Sequence, residues 1–100
     1  MNAQLKKGVL DLCMLKIIKK KDCYGYEILK MMKTYFPEVD ESTFYSVLRR
    51  LNKDGSTEVY TGEVTKGPKR KYYRLTEIGK ERLVQYEKEW KALNKIIDEI

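Results

Sequence analysis

A mostly helical α+β chain is what this sequence predicts, and three observations carry the prediction. Phe44, Val47, Leu48 and Leu51 recur at i, i+3, i+4 and i+7, which is one apolar stripe on a short helix. Downstream, Lys66-Gly67-Pro68-Lys69-Arg70-Lys71 forms a basic turn between two strand-like stretches. From Thr76 to Ile100 the chain reads as one long helix with a heptad apolar seam. A helix followed by a basic hairpin is the arrangement of a winged helix-turn-helix. The expected architecture is therefore a winged helix-turn-helix over residues 1–75 and a long C-terminal dimerisation helix over 76–100.

The elements follow in order. Residues 4–19 predict a first helix, with Leu5, Val9, Leu12, Cys13, Leu15, Ile17 and Ile18 giving an apolar surface wider than one stripe. Such a helix is covered on more than one side. Lys19, Lys20 and Lys21 suit its C-terminal carbonyls. Residues 24–35 predict a second helix that buries Ile28, Leu29, Met31 and Met32, with Gly25 allowing close packing and Pro37 ending the segment. Asp40 stands at the N-cap of the third helix and Gly55 at its left-handed end. Residues 57–64 predict the first wing strand. Residues 71–75 predict its return, with Tyr73 on the face opposite Tyr72 and Arg74. Thr76 then caps the last helix. Its seam residues Leu83, Tyr86, Trp90, Leu93, Ile97 and Ile100 are spaced 3, 4, 3, 4, 3. The seam packs on the first helix of its own chain, on a second copy, or on both, and a two-fold homodimer is the simplest use of a self-complementary stripe.

One hundred residues allow one small domain, and a formal net charge of +6 favours polyanions. Its distribution is more telling. Residues 1–37 carry net +5 and residues 55–75 net +3, while 38–54 and 76–100 each carry −1. The segments divide between polyanion contact and protein contact. With no histidine, a general base or metal ligand of that type is absent, and the ten-residue separation of Cys13 and Cys23 fits no common zinc spacing. Neither a catalytic residue nor a metal or other cofactor is expected. Cys13 reads as core, and Cys23 as half-exposed ahead of the second helix. The start lacks the apolar core of a signal peptide, and no apolar run approaches the ~20 residues that span a bilayer. The expectation is a cytoplasmic chain with no membrane partner.

The third helix holds the candidate chemistry. Opposite its apolar stripe stand Ser42, Thr43, Tyr45, Ser46, Arg49 and Arg50, with Lys53 one turn on and no acid after Glu41. Hydroxyls and guanidinium groups on a helix narrow enough for the major groove suit phosphates and base edges. The bland alternative is a solvated basic face. Tyr45 either meets DNA or packs on the second helix. Tyr24 is either a phosphate donor or a core edge. Lys66, Lys69 and Arg70 at the wing tip suit the DNA backbone or minor groove. A winged-helix protein-interaction adaptor without sequence-specific DNA binding remains the second reading, although it has no need of a basic wing tip.

Four segments, in order and in register, resemble the PadR family of bacterial transcriptional regulators. They are Tyr24-Gly25-Tyr26-Glu27-Ile28, Thr43 to Leu51, Gly67 to Thr76, and Glu87-Lys88-Glu89-Trp90. The short length and single C-terminal helix are similar to the small subfamily with LmrR-type multidrug-sensing repressors. The resemblance implies a homodimeric repressor bound to a palindromic double-stranded DNA operator, with a small aromatic or phenolic effector that relieves repression. It implies a ligand site at the dimer interface near Leu5, Leu12, Trp90 and Asn94, where Trp90 serves as ligand platform or as interface core. Two departures stand out. Ser56 and Thr57 replace apolar residues, which implies looser packing beneath the wing, and Ser46 replaces a common proline, which implies a less rigid start to the third helix.

Overall fold

A computed structural model describes residues 3–62 and 69–100, with side chains from Gly8 onward in the first of these segments. The expected turn residues Lys66 to Pro68, Val64 in the first wing strand and the side chain of Leu5 lie outside the described residues. The elements are α1 (Ala3–Lys20), β1 (Cys23–Tyr24), α2 (Gly25–Tyr35), α3 (Glu41–Lys53), β2 (Thr57–Gly62), β3 (Arg70–Leu75) and α4 (Glu77–Glu99). They form a winged helix: helices on one side of a three-stranded antiparallel sheet of order β1-β3-β2. The fold is mostly helical, as the periodicities predict.

The two-residue strand β1 was not anticipated. It pairs Cys23 with Tyr73 and Tyr24 with Tyr72, so the chain joins the wing before it enters α2. Side-chain alternation then sends Cys23 inward and Tyr24 outward. Cys23 is fully buried rather than half-exposed, and Cys13, expected in the core, is only half-buried at its edge. The Tyr24 N–H donates to Glu27 Oε1 at 3.2 Å, which satisfies one free donor at the start of α2. Gly25 is not required by packing, since a Cβ there would meet the Tyr73 ring at an ordinary 3.9 Å.

Helix α3 buries Phe44, Val47, Leu48 and Leu51 against α1 and α2. Asp40 occupies the N-cap position, but its side chain makes no capping bond; the Thr43 N–H reaches the Asp40 carbonyl instead, at 3.0 Å. The other end closes as a Schellman motif. The Ser56 N–H donates to the Leu51 carbonyl at 2.9 Å and the Gly55 N–H to that of Asn52 at 3.3 Å, with Gly55 at φ +86°.

Ser56 and Thr57 were expected to loosen the joint beneath the wing. Both are buried, and both hydroxyls are bonded. The Ser56 hydroxyl donates to Asp54 Oδ1 at 2.7 Å and accepts from Arg82 Nη1 at 2.6 Å, while Thr57 donates to Asn52 Oδ1 at 3.4 Å. A polar joint replaces an apolar one, with no unsatisfied buried side-chain atom among the described residues. Helix α4 starts on this joint. The Thr76 hydroxyl accepts from the Gly79 N–H at 3.0 Å, and the Thr76 N–H donates to the Ser56 carbonyl at 3.1 Å. Among α4 residues only Gly79 and Leu83 are buried. Leu83, at the head of the expected dimer seam, is therefore spent on the core of its own chain, and Tyr86 packs partly against that core.

Candidate nucleic-acid interface

A helix turns about 100° per residue, and that geometry sorts the basic residues of α3. Ser42, Ser46, Arg49 and Lys53 fall along one line away from the core, with Thr43 and Tyr45 beside it; all six are exposed. The Ser46 hydroxyl donates back to the Ser42 carbonyl at 3.0 Å, which leaves its acceptor lone pairs outward. Tyr45 takes neither expected place completely: it is exposed, yet lines a groove between α2 and α3 with Tyr26, Lys30 and Lys33. The face is narrow, convex and free of acids between Ser42 and Lys53. Backbone phosphates and the acceptor atoms of guanine fit such a set.

Arg50 points elsewhere. It sits on the flank of α3, and its guanidinium donates to both carboxylate oxygens of Asp11 on α1, at 2.7 and 2.6 Å. Asp11 is 4% exposed. The Asp11 hydrogen bonds hold the guanidinium above its ordinary pKa, with burial opposing. Sequence spacing alone groups Arg50 with Arg49 on the basic face and does not reveal Asp11 as its partner. An acid between Leu10 and Leu12, in an otherwise apolar stretch of helix, was the available signal.

The wing carries its chemistry on the outer face. β2 and β3 pair Tyr60 with Tyr72 and Glu58 with Arg74. With Tyr24 on β1, this sets three tyrosines in a row across the sheet. Tyr60 stacks on Tyr72 with ring centres 5.7 Å apart, and Tyr24 meets Tyr72 edge-on at 5.9 Å. Arg70 lies over the Tyr24 ring at 4.4 Å and Arg74 over Tyr60 at 4.9 Å. Tyr26, part of the same motif but not among the candidate site residues, stacks outside Tyr24 at 6.4 Å. The Tyr60 hydroxyl donates to Asp22 Oδ2 at 2.6 Å, and that bond raises its pKa. Tyr24 and Arg70, candidates from different segments, are thus neighbours beside an open cleft of about 490 Å³ that also takes in Lys71. Lys69 is exposed beside them.

A separate apolar groove of about 230 Å³ runs between α1 and α4. It brings Leu12 and Trp90 together, with Val9, Tyr86 and Leu93 as further walls. Asn94 is not among its lining residues, and Glu89 is the acid on its wall. Burial raises the Tyr86 pKa, so its hydroxyl stays neutral there.

A tri-helical core, a paired wing and, between them, an exposed helix face with no acid from Ser42 to Lys53 define the class of winged-helix DNA-binding proteins. The sequence matches the model of the transcriptional regulator PadR-like family over residues 14–85, and the chain belongs to that family. It is similar to a Streptococcus transcriptional regulator of known structure, at 32% identity and TM-score 0.88, over 97% of this chain and 96% of that one. It is equally similar to a PadR-like transcriptional regulator from Bacillus cereus, at 34% identity and TM-score 0.86, over 97% and 95% of the two chains. An uncharacterised protein of Lysinibacillus sphaericus is 42% identical over 95 residues, 92% of this chain and 87% of that protein. The chain is a DNA-binding transcription regulator rather than an enzyme. Among the described residues, no helix is long and apolar enough to cross a membrane.

Proposed function

We propose that the protein is a cytoplasmic, homodimeric repressor that binds a palindromic operator. Helix α3 enters the major groove, and the Ser42, Ser46, Arg49 and Lys53 line meets phosphates and base edges. Thr43 and Tyr45 flank that contact at the start of the helix. Tyr24, Lys66, Lys69 and Arg70 meet the neighbouring backbone or minor groove. The observation that carries this reading is the exposed face of α3 with no acid between Ser42 and Lys53. Two such helices, related by a two-fold axis through the α4 helices, meet successive major grooves when about 34–36 Å apart. A small aromatic or phenolic effector occupies the groove between Leu12 and Trp90 and changes that separation, with Leu5 and Asn94 as further candidate contacts from the family resemblance.

The test is a mobility-shift titration on the promoter region upstream of the protein's own gene, across a salt series. Selective binding that weakens steeply with salt is the expected result, because phosphate contacts release counterions. Binding no tighter than to random duplex would turn the reading toward a protein-interaction adaptor. For the effector, quenching of Trp90 fluorescence should track release of DNA; release that survives Trp90→Ala would place the site elsewhere.

A further inference from the structure

Asp11 and Arg50 are the longest-range ion pair among the described residues, 39 positions apart, and they join α1 to the recognition helix. The geometry is a fork on a fork: two guanidinium nitrogens on two carboxylate oxygens, at 2.7 and 2.6 Å. A carboxylate as buried as Asp11 is strongly disfavoured without a partner, and Arg50 supplies both of its hydrogen bonds. The guanidinium is half-exposed, so Arg50 is held at the rim of the core rather than sealed within it. A bidentate contact fixes direction as well as distance. It adds an angular restraint to the roll of α3 beyond that of the buried Phe44, Val47, Leu48 and Leu51 stripe, and that roll decides where Arg49 and Lys53 point.

We propose that Asp11 and Arg50 form a positioning pair for DNA recognition: Asp11 locks the roll of α3 through Arg50, and Arg50 itself is not a phosphate contact. The inference rests on the DNA-binding reading above. Because Asp11 adjoins Leu12, the lock also ties the recognition helix to the helix that walls the α1–α4 groove.

The experiment uses a duplex selected by the wild-type protein from a random pool. Affinity and its salt dependence are measured for Asp11→Asn, Arg50→Gln and the double variant. Each is expected to lose roughly tenfold or more, with the double no worse than either single, because the two residues act as one unit. The salt slope stays at the wild-type value, whereas Arg49→Ala lowers it by about 1. A second double variant, Asp11→Leu with Arg50→Met, replaces the pair by apolar contact. It is expected to recover thermal stability but not affinity. Recovery of both would reduce the pair to core filling and overturn the proposal. So would wild-type affinity in Asp11→Asn, or a lowered salt slope in Arg50→Gln, which would make Arg50 a phosphate contact. Failure of the wild-type chain to enrich any duplex would sink the DNA-binding reading together with this one, an outcome distinct from the other three.

Discussion

At Gly79 the chain has no room for a single methyl group. A Cβ there would stand 2.0 Å from the Ser56 carbonyl oxygen and 2.9 Å from Leu75 Cδ1. The first of these is backbone, anchored by the Thr76 N–H, and has nowhere to move. Alanine is the better helix former by about 1 kcal/mol, but overpacking against fixed backbone costs about 3 kcal/mol and wins. Gly79→Ala should therefore lower the urea midpoint sharply; a midpoint at or above wild type would mean that α4 can lift off the joint. The two cysteines make a second residue-scale case. Burial pushes both thiols up, and the Cys23 thiol also donates to the Lys21 carbonyl at 3.3 Å. A raised folded-state value means that the stabilisation is fully present below the ordinary thiol value of 9.0 and is lost as pH rises through the higher folded one. Residue-resolved alkylation of the native protein at neutral pH should label half-buried Cys13 slowly and Cys23 only on unfolding. Stability should hold up to about pH 9 and fall beyond it. Equal labelling of both thiols would contradict the burial of β1.

At the scale of elements, the end of α3 depends on one left-handed residue. A Cβ on Gly55 would meet only Ile78 Cδ1, at 3.7 Å, so space is not the constraint. Conformation is, since φ is +86°. Gly55→Ala should cost about 1 to 2 kcal/mol in chemical denaturation, and Gly55→Asn less, because asparagine tolerates that region better. Equal losses for the two would mean that something other than backbone conformation sets the cost. Glycine 55 was legible in the sequence because a helix stop has a local signature. So were the four helices, whose apolar positions recur over eleven residues or more. Strand β1 was not, because two residues carry no period and its existence is decided by Tyr72 and Tyr73 from far along the chain. For the same reason the sequence left Cys23 half-exposed and Tyr24 undecided. The candidate face divides likewise. The line from Ser42 to Lys53 follows from helical spacing alone, whereas the turning of Arg50 toward Asp11 depends on how α3 crosses α1. The joint at Ser56 and Thr57 shows a further limit: composition marked it as loose, and only the positions of Arg82 and Asn52 reveal that its hydroxyls are bonded.

The molecule as a whole measures 55 × 30 × 20 Å, far longer than its core requires. Much of that length is α4, whose 23 residues span about 35 Å and whose second half is exposed. Trp90, Leu93 and Ile97 are 42, 46 and 58% exposed, and Ile100 is 98% exposed. Leu83 and Tyr86, which continue the same heptad spacing, are buried or half-buried within the chain. One stripe thus serves two purposes: its beginning holds α4 to α1, and its remainder, from Trp90 onward, is an apolar surface left largely exposed among the described residues. Burying such residues stabilises by about 1.5–3 kcal/mol each, and a two-fold pairing of identical seams does so for both copies at once. Leu93→Asp tests this arrangement. It sets a carboxylate in the middle of the exposed stripe, where two copies would bring like charges together. Because Leu93 is nearly half-exposed and outside the buried core, the helical content of each chain should persist. Analytical ultracentrifugation should show a monomer, and the melting temperature should cease to depend on protein concentration. Affinity for the selected duplex should fall by far more than removal of one phosphate contact produces, since two half-sites are no longer held together. A Leu93→Asp protein that remains dimeric would move the interface off the α4 seam.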